Sequence, residues 1–201
     1  LEGAVPLRVD LAGPAGAVEG VVDAAAAELG GLDAFVQCAG LAVPMECAGL
    51  DSHHRIEHVD EALFDRLMAV NVKSTFFACR RVVPLLRAAG GGNIAFTGSV
   101  DGVKMVPSPA HYSASKGALR GLTMALAKEL GDAKILVNMV APGILEGGIS
   151  RAIPGPLVAE YVKHCGLKRV GRAGEVAALL AWLALENTYV TGQTMLLDGA
   201  L

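Results

Sequence analysis

The chain has 201 residues, of which 53% are apolar and 4% aromatic, with 25 glycines and a formal net charge of −3. That length suits one domain with a sizeable core, and an Ala-, Val-, Leu- and Gly-rich composition suits buried strands under close-packed helices. The weak charge gives no electrostatic case for nucleic acid or an anionic membrane surface, and no apolar run reaches the ~20 residues of a membrane span.

Leu7 to Asp10 reads as the end of a short strand. From Pro14 to Leu29, apolar side chains at Val18, Val21, Val22, Ala25, Ala26 and Leu29 recur at helical spacing until Gly30-Gly31 stops them. Asp33 to Cys38 has the pattern of a buried strand and runs into Ala39-Gly40. Residues 41–60 form a polar loop with His53, His54 and His58 near Cys47. His54 and His58 have helical ligand spacing, but a polar loop entering a helix accounts for them better than a metal site does. A metal-dependent hydrolase built on that cluster has little beyond composition behind it.

A long helix is expected from about Glu61 to Ala89, interrupted or bent near Asn71 and Pro84. Ile94–Thr97 is a strand, and a helix holding Tyr112 continues to about Leu130. Ile135–Val140 is a strand that ends in Ala141-Pro142-Gly143. An irregular stretch follows, then a helix from about Gly174 to Leu185 and a last strand from Thr194 to Asp198. Val176–Leu185, the longest apolar stretch, has the length of a buried helix. Alternating strands and helices argue for βαβ units and a parallel sheet. Gly40, Ser99 and Gly143 each follow a strand, so their loops converge on the crevice beyond the strands' carboxyl ends, where open sheets of this kind bind ligands. Cys38, Cys47, Cys79 and Cys165 lie far apart with no CxxC spacing and read as free thiols of a reducing, cytoplasmic compartment.

Tyr112 and Lys116 stand four apart and so share one helix face. A tyrosine's ordinary pKa of about 10 makes it a poor acid or base at neutral pH. A neighbouring ammonium favours the phenolate, and a serine hydroxyl aimed at the same point can hydrogen-bond a carbonyl oxygen. Such a group moves a proton on or off an alcohol or ketone oxygen.

The segments Asn93-Ile-Ala-Phe-Thr-Gly-Ser99-Val-Asp-Gly102 and His111-Tyr112-Ser-Ala-Ser-Lys116-Gly-Ala-Leu119 resemble the catalytic core of the short-chain dehydrogenase/reductase family. The resemblance extends over nearly the whole chain. It implies a three-layer Rossmann-type doubly wound parallel sheet, a single domain over residues 1–201, and a substrate lid at 147–165. The lid's Gly, Pro and Ile content suits a mobile loop. The family match assigns Tyr112 as general acid/base, Ser99 as the partner of the substrate oxygen, and Lys116 as the group that lowers the tyrosine pKa and bonds the nicotinamide ribose. Asn71, in Val70-Asn71-Val72, would hold through its backbone a water that links the lysine to solvent.

On the cofactor side, Asp10-Leu11 stands where the family contacts the adenine; an N-cap or turn aspartate is the equal alternative. Gln37-Cys38-Ala39-Gly40 replaces the family's NNAG, losing both amides but keeping the small residues that let backbone approach a cofactor. Pro142-Gly143 resembles the loop beside the nicotinamide. Gly147 stands where a threonine usually bonds the cofactor, leaving that grip weaker or supplied by Ser150. Arg169-Val-Gly-Arg-Ala-Gly174-Glu and Tyr189-Val-Thr-Gly-Gln193 with Leu197-Asp198-Gly199 resemble chiefly structural signatures of the family. The small residues Ala114, Gly117, Ala118, Gly121 and Ala125 suit close helix packing, within the chain or across a homodimer or homotetramer interface.

The family's TGxxxGxG turn would precede Asp10, and this sequence does not contain it. A chain starting at Leu1 would lack the helix N-terminus that receives the pyrophosphate and leave a gap between the Leu7–Val9 and Asp33–Cys38 strands. The expectation is an upstream segment of roughly 40–50 residues, the length of a doubly wound half-domain's missing part. That segment would also choose between NAD and NADP. The expected activity is NAD(P)-dependent interconversion of a small secondary alcohol and a ketone. The alternative is a non-catalytic binding or oligomerisation protein of the same fold with a weakened cofactor site.

Overall fold

A computed structural model of the chain describes residues 4–42 and 55–201. Cys47, His53 and His54 lie outside the described residues. Four strands, β1 (Ala34–Gln37), β2 (Gly92–Thr97), β3 (Ile135–Pro142) and β4 (Thr194–Leu197), form one sheet in the order β1-β2-β3-β4. Every pairing is parallel, with Phe35 beside Ile94, Phe96 beside Met139 and Val140 beside Met195. Parallel strands need long crossovers, and helices supply them: α2 (Glu61–Met68) and α3 (Ser74–Ala89), α4 (Ala110–Leu130), then α5 (Gly155–His164) and α6 (Ala173–Leu185). Helix α1 (Ala15–Leu29) precedes the sheet and packs against α3. Glu19 and Asp23 of α1 pair with Arg80 and Arg81 of α3.

Successive side chains of a strand point to opposite faces, and that alternation divides the core. Ile94, Phe96, Ile135, Val137 and Met139 pack with Val18, Val82, Leu86, Leu119 and Leu130 on one face. Ala95 and Val140 face the other way, against Val176, Leu180 and Leu183 of α6. Helices therefore cover both faces of the sheet, giving the three layers of a Rossmann-type fold. β3, which pairs with β2 over Ile135–Val140 and with β4 over Met139–Pro142, is buried at every position but one.

Three elements differ from the sequence expectations. Leu7–Asp10 is not a strand: among the described residues this segment finds no sheet neighbour, and without ladder bonds an extended run is only an irregular one. The long helix over 61–89 is interrupted at Asn71 as expected, by a π-turn at Ala69–Lys73, but Pro84, the other expected interruption, sits inside α3 without ending it. A π-turn inserts one residue into the helical ladder and redirects the side chains around it. The 147–165 stretch is largely helical, with a short 3-10 turn at Gly148–Ala152 and α5 behind it. Pro154 sits just ahead of Gly155–Pro156, and a proline at the start of a helix costs no hydrogen bond.

Candidate active site

The carboxyl ends of β1, β2 and β3 open onto a cavity of about 690 Å³, walled on its far side by the 144–164 segment. That volume lies within the range of small-molecule sites. Ser99 emerges just after β2 in extended conformation and caps the one-turn helix Val100–Gly102. Its hydroxyl accepts from the Asp101 backbone N–H at 3.3 Å and donates to Asp101 Oδ2 at 2.6 Å. Tyr112 lies in the first turn of α4, with Lys116 one turn on and its Nζ 5.7 Å from the tyrosine ring centroid. Lys116 is 4% exposed and donates to the Thr97 carbonyl at 3.1 Å.

The loop carrying Ser99 is fixed to α4 by Gly102. A Cβ there would stand 2.6 Å from both the Gly117 nitrogen and the Lys116 carbonyl carbon. Only glycine allows the two backbones that close, so the Ser99 loop is keyed to the turn of helix that bears Tyr112 and Lys116. Gly40, at the end of the β1 loop, is a similar cradle on the other side. A Cβ at Gly40 would sit 3.3 Å from Lys116 Nζ and 3.6 Å from Asn71 Oδ1.

Asn71 is fully buried, and its amide spans two elements. Oδ1 accepts from the Leu41 N–H at 2.7 Å, while Nδ2 donates to the Leu41 carbonyl at 2.9 Å and to Ser115 Oγ at 3.0 Å. Its side chain thus ties the loop after Gly40 to α4. Its backbone carbonyl accepts from Thr75 Oγ1 at 3.0 Å.

Burial dominates the electrostatics. It pushes the Tyr112 phenol above its ordinary value; the Asp101 charge pushes the same way, and the Ser99 hydrogen bond opposes them. Burial lowers Lys116 to about 8, against the pull of the Asp101 and Cys38 charges. The depressed tyrosine expected from an adjacent ammonium is therefore not what the structure shows. Burial of the phenol is the largest influence on it, and Tyr112 is a neutral phenol at neutral pH.

Cys38, Gly40, Ser99, Tyr112, Lys116, Pro142 and Gly143 all line the one cavity, with Ala39 beside Gly40 and Asn71 behind them. Asp10 and Leu11 are not among its lining residues. Asp10 Oδ1 accepts from the Ala12 N–H at 2.9 Å as a turn aspartate, and Leu11 packs against the core. Of the altered amides, Gln37 is buried with its side-chain oxygen lacking a hydrogen-bond partner, and Cys38 accepts from Thr97 Oγ1 at 3.5 Å. Ser150 Oγ lines the cavity and accepts from the Leu145 N–H at 3.2 Å.

Sequence reasoning passed over three residues. Asp101 was within the motif, two places after Ser99, but its contact depends on the turn. Gly102 gives no signal beyond being a glycine. Tyr161 of α5 lies against Gly143, where a Cβ would meet its hydroxyl at 2.0 Å, and that hydroxyl donates to the Asp198 carbonyl at 2.9 Å. This contact docks α5 over the cavity. Among the described residues no group of three or more His, Cys, Asp or Glu side chains could hold a metal ion, and no helix is long and apolar enough to cross a membrane.

Residues 1–201 match a family model described as enoyl-(acyl carrier protein) reductase. A bovine (Bos taurus) dehydrogenase/reductase SDR family member 4 is 36% identical over 144 residues, covering 70% of this chain and 52% of the relative. The 3-oxoacyl-[acyl-carrier-protein] reductase of Thermotoga maritima is 34% identical over 155 residues, covering 77% of this chain and 63% of the relative. The chain thus spans between half and two thirds of the length of these relatives. A crystal structure of a protein described as a short-chain alcohol dehydrogenase, from Sinorhizobium meliloti 1021, superposes with a TM-score of 0.85 at 29% identity. That likeness covers 98% of this chain and 75% of the other.

Proposed function

The chain belongs to the short-chain dehydrogenase/reductase family of oxidoreductases, and from that membership we propose that it carries the catalytic site of an NAD(P)-dependent enzyme interconverting a secondary alcohol and a ketone. One observation carries the reading: Ser99, Tyr112 and Lys116, from a strand end and two turns of a helix, meet on one wall of a single cavity. The family generally uses NAD(P), and the backbone cradle at Gly40, beside the Lys116 ammonium, is the kind of surface a nicotinamide ribose requires. Lys116, Gly40, Pro142 and Gly143 are the residues that would hold that half of the cofactor.

A nicotinamide held there would supply the hydride donor or acceptor for the carbinol carbon. The chain's own residues handle the oxygen. Tyr112, a neutral phenol in its buried setting, donates its proton to the ketone oxygen as negative charge develops there, and takes the proton back in oxidation. Ser99 hydrogen-bonds the same oxygen and stabilises its charge. Lys116, still largely protonated at neutral pH with a pKa of about 8, stabilises the phenolate left behind. Asn71 acts through others: by holding Leu41 and Ser115 it fixes the loop after Gly40 against α4.

Tyr112→Phe in the full-length protein tests the assignment. Turnover of alcohols and ketones should fall by about 10²–10⁴, the usual worth of a positioned proton donor, while NADH or NADPH binding, followed by nicotinamide fluorescence, stays near that of the wild type. A Phe variant that still reduces ketones at the parent rate would remove Tyr112 from the chemistry.

A further inference from the structure

The Ser99 hydroxyl proton is directed at a neighbouring carboxylate, and that carboxylate faces the cavity. Asp101 lines the cavity together with Ser99 and Tyr112 and is half-buried. Its Oδ2 takes the Ser99 proton at 2.6 Å, and among the described residues it forms no ion pair. A carboxylate offers about four lone-pair sites, so most of its accepting capacity is unspent. Lys116, whose Nζ is turned to the Thr97 carbonyl, does not use it. Glu160, the other acid lining the cavity, is engaged by Lys163 and His164. Val106, Ile144, Ile149, Ile153 and Leu157 supply an apolar part of the same wall.

We propose that Asp101 is a specificity residue that accepts a hydrogen bond from a hydroxyl or ammonium group on the carbon next to the reacting carbinol, so that the site selects apolar vicinal diols, vicinal amino alcohols and the corresponding ketones. The inference rests on the alcohol/ketone reading above. Spacing supports it. On that reading the reacting oxygen accepts from Ser99 Oγ, and Asp101 Oδ2 is 2.6 Å from that Oγ. Two heteroatoms on adjacent carbons are themselves ~2.8 Å apart when gauche, the same as one hydrogen bond, so a vicinal pair matches a Ser99 donor beside an Asp101 acceptor. A donor on the substrate also satisfies Asp101 in place of Ser99, freeing the Ser99 proton for the reacting oxygen. A substrate carboxylate at that carbon would meet like charge instead.

The test uses the full-length protein with NAD⁺ or NADP⁺ and four matched benzylic secondary alcohols. The neighbouring carbon is a methyl, bears a hydroxyl, bears an ammonium, or is a carboxylate. The wild type should favour the hydroxyl and ammonium compounds over the methyl one by about tenfold in kcat/KM, the worth of one good hydrogen bond, and should disfavour the carboxylate. In Asp101→Asn the ammonium preference and the carboxylate penalty should both collapse. Turnover of the methyl compound with wild-type ratios near one across the set overturns the inference and leaves the alcohol/ketone reading standing; that outcome needs no variant to fold. Preference for ammonium alone supports a charge-selective Asp101. No turnover of any of the four with either cofactor overturns the reading and the inference with it.

Discussion

Gly102→Ala isolates the steric key of the site. Gly102 is not in the left-handed backbone region, so alanine meets no backbone strain there and the whole effect is contact. The added Cβ would lie 2.6 Å from the Gly117 nitrogen and from the Lys116 carbonyl carbon, about 0.8 Å inside the 3.4 Å at which ordinary contact begins. Both obstacles are backbone atoms of a helix and cannot rotate away. The Ser99–Gly102 loop must therefore retreat from α4 by most of an ångström, taking Ser99 and Asp101 with it. Overpacking of this kind costs about 1–3 kcal/mol, or a fall in Tm of roughly 2–4 °C per kcal/mol at this size. A misplacement near 1 Å costs about 10² in rate. The measurement pairs kcat/KM with thermal melting for the parent, Gly102→Ala and Gly121→Ala. Gly121 is on the same helix with nothing within 4 Å of its Cβ position, so alanine there should be neutral or stabilising by up to about 1 kcal/mol. Parent-like activity and melting in Gly102→Ala would refute the idea that close backbone contact sets Ser99.

Lys116→Met should abolish turnover yet raise stability at pH 7, by an amount on the order of 2–3 kcal/mol, because a buried ammonium held at about 8 instead of 10.5 disfavours the fold wherever it must stay protonated. The sign follows from proton binding: between pH 8 and 10.5 the unfolded chain holds the proton and the folded one does not, so parent stability rises with pH across that window, and a melt series in which Lys116→Met flattens the rise checks it. Asn71→Ala removes three side-chain hydrogen bonds and strands the Leu41 backbone groups, which predicts a loss of about 2–4 kcal/mol by denaturant unfolding. A loss below about 1 kcal/mol would mean that the Leu41 loop is not held through Asn71.

What the sequence made legible was what local pattern controls. β3 and α4 are long, periodic and flanked by turn residues, and they fall where expected. The Ser99, Tyr112 and Lys116 constellation was legible because its spacing follows from one helix turn and one strand end. Leu7–Asp10 was misread because four residues of strand-like pattern become a strand only beside a neighbour. The order within 147–165 was hidden because Gly and Pro weaken a helix signal that here depends on docking, with Tyr161 seated on Gly143 and bonded to Asp198. The direction of the Tyr112 shift was misjudged for a similar reason. Spacing gives the distance between two charges, whereas burial, which no spacing encodes, decides which of them survives.

On the proposed reading Asp101 would act twice in this site, and the two actions can be separated. Its charge raises both Tyr112 and Lys116, holding the pair in the doubly protonated form that donates to a ketone. Removing the charge should therefore shift the pH profile of every substrate to lower pH, because all of them exchange their proton with the same phenol. Selection by a substrate's neighbouring group is different: it distinguishes one substrate from another at fixed pH. A ratio of kcat/KM values cancels whatever Asp101→Asn does to Tyr112 and retains only what Asp101 contacts. The Ser99 hydrogen bond belongs to the cancelling part, since the proposed role of Ser99 is the same for every substrate. A carboxylate that served only to tune the tyrosine would move the profile and leave the ratios alone; one that reads the neighbouring carbon must move both.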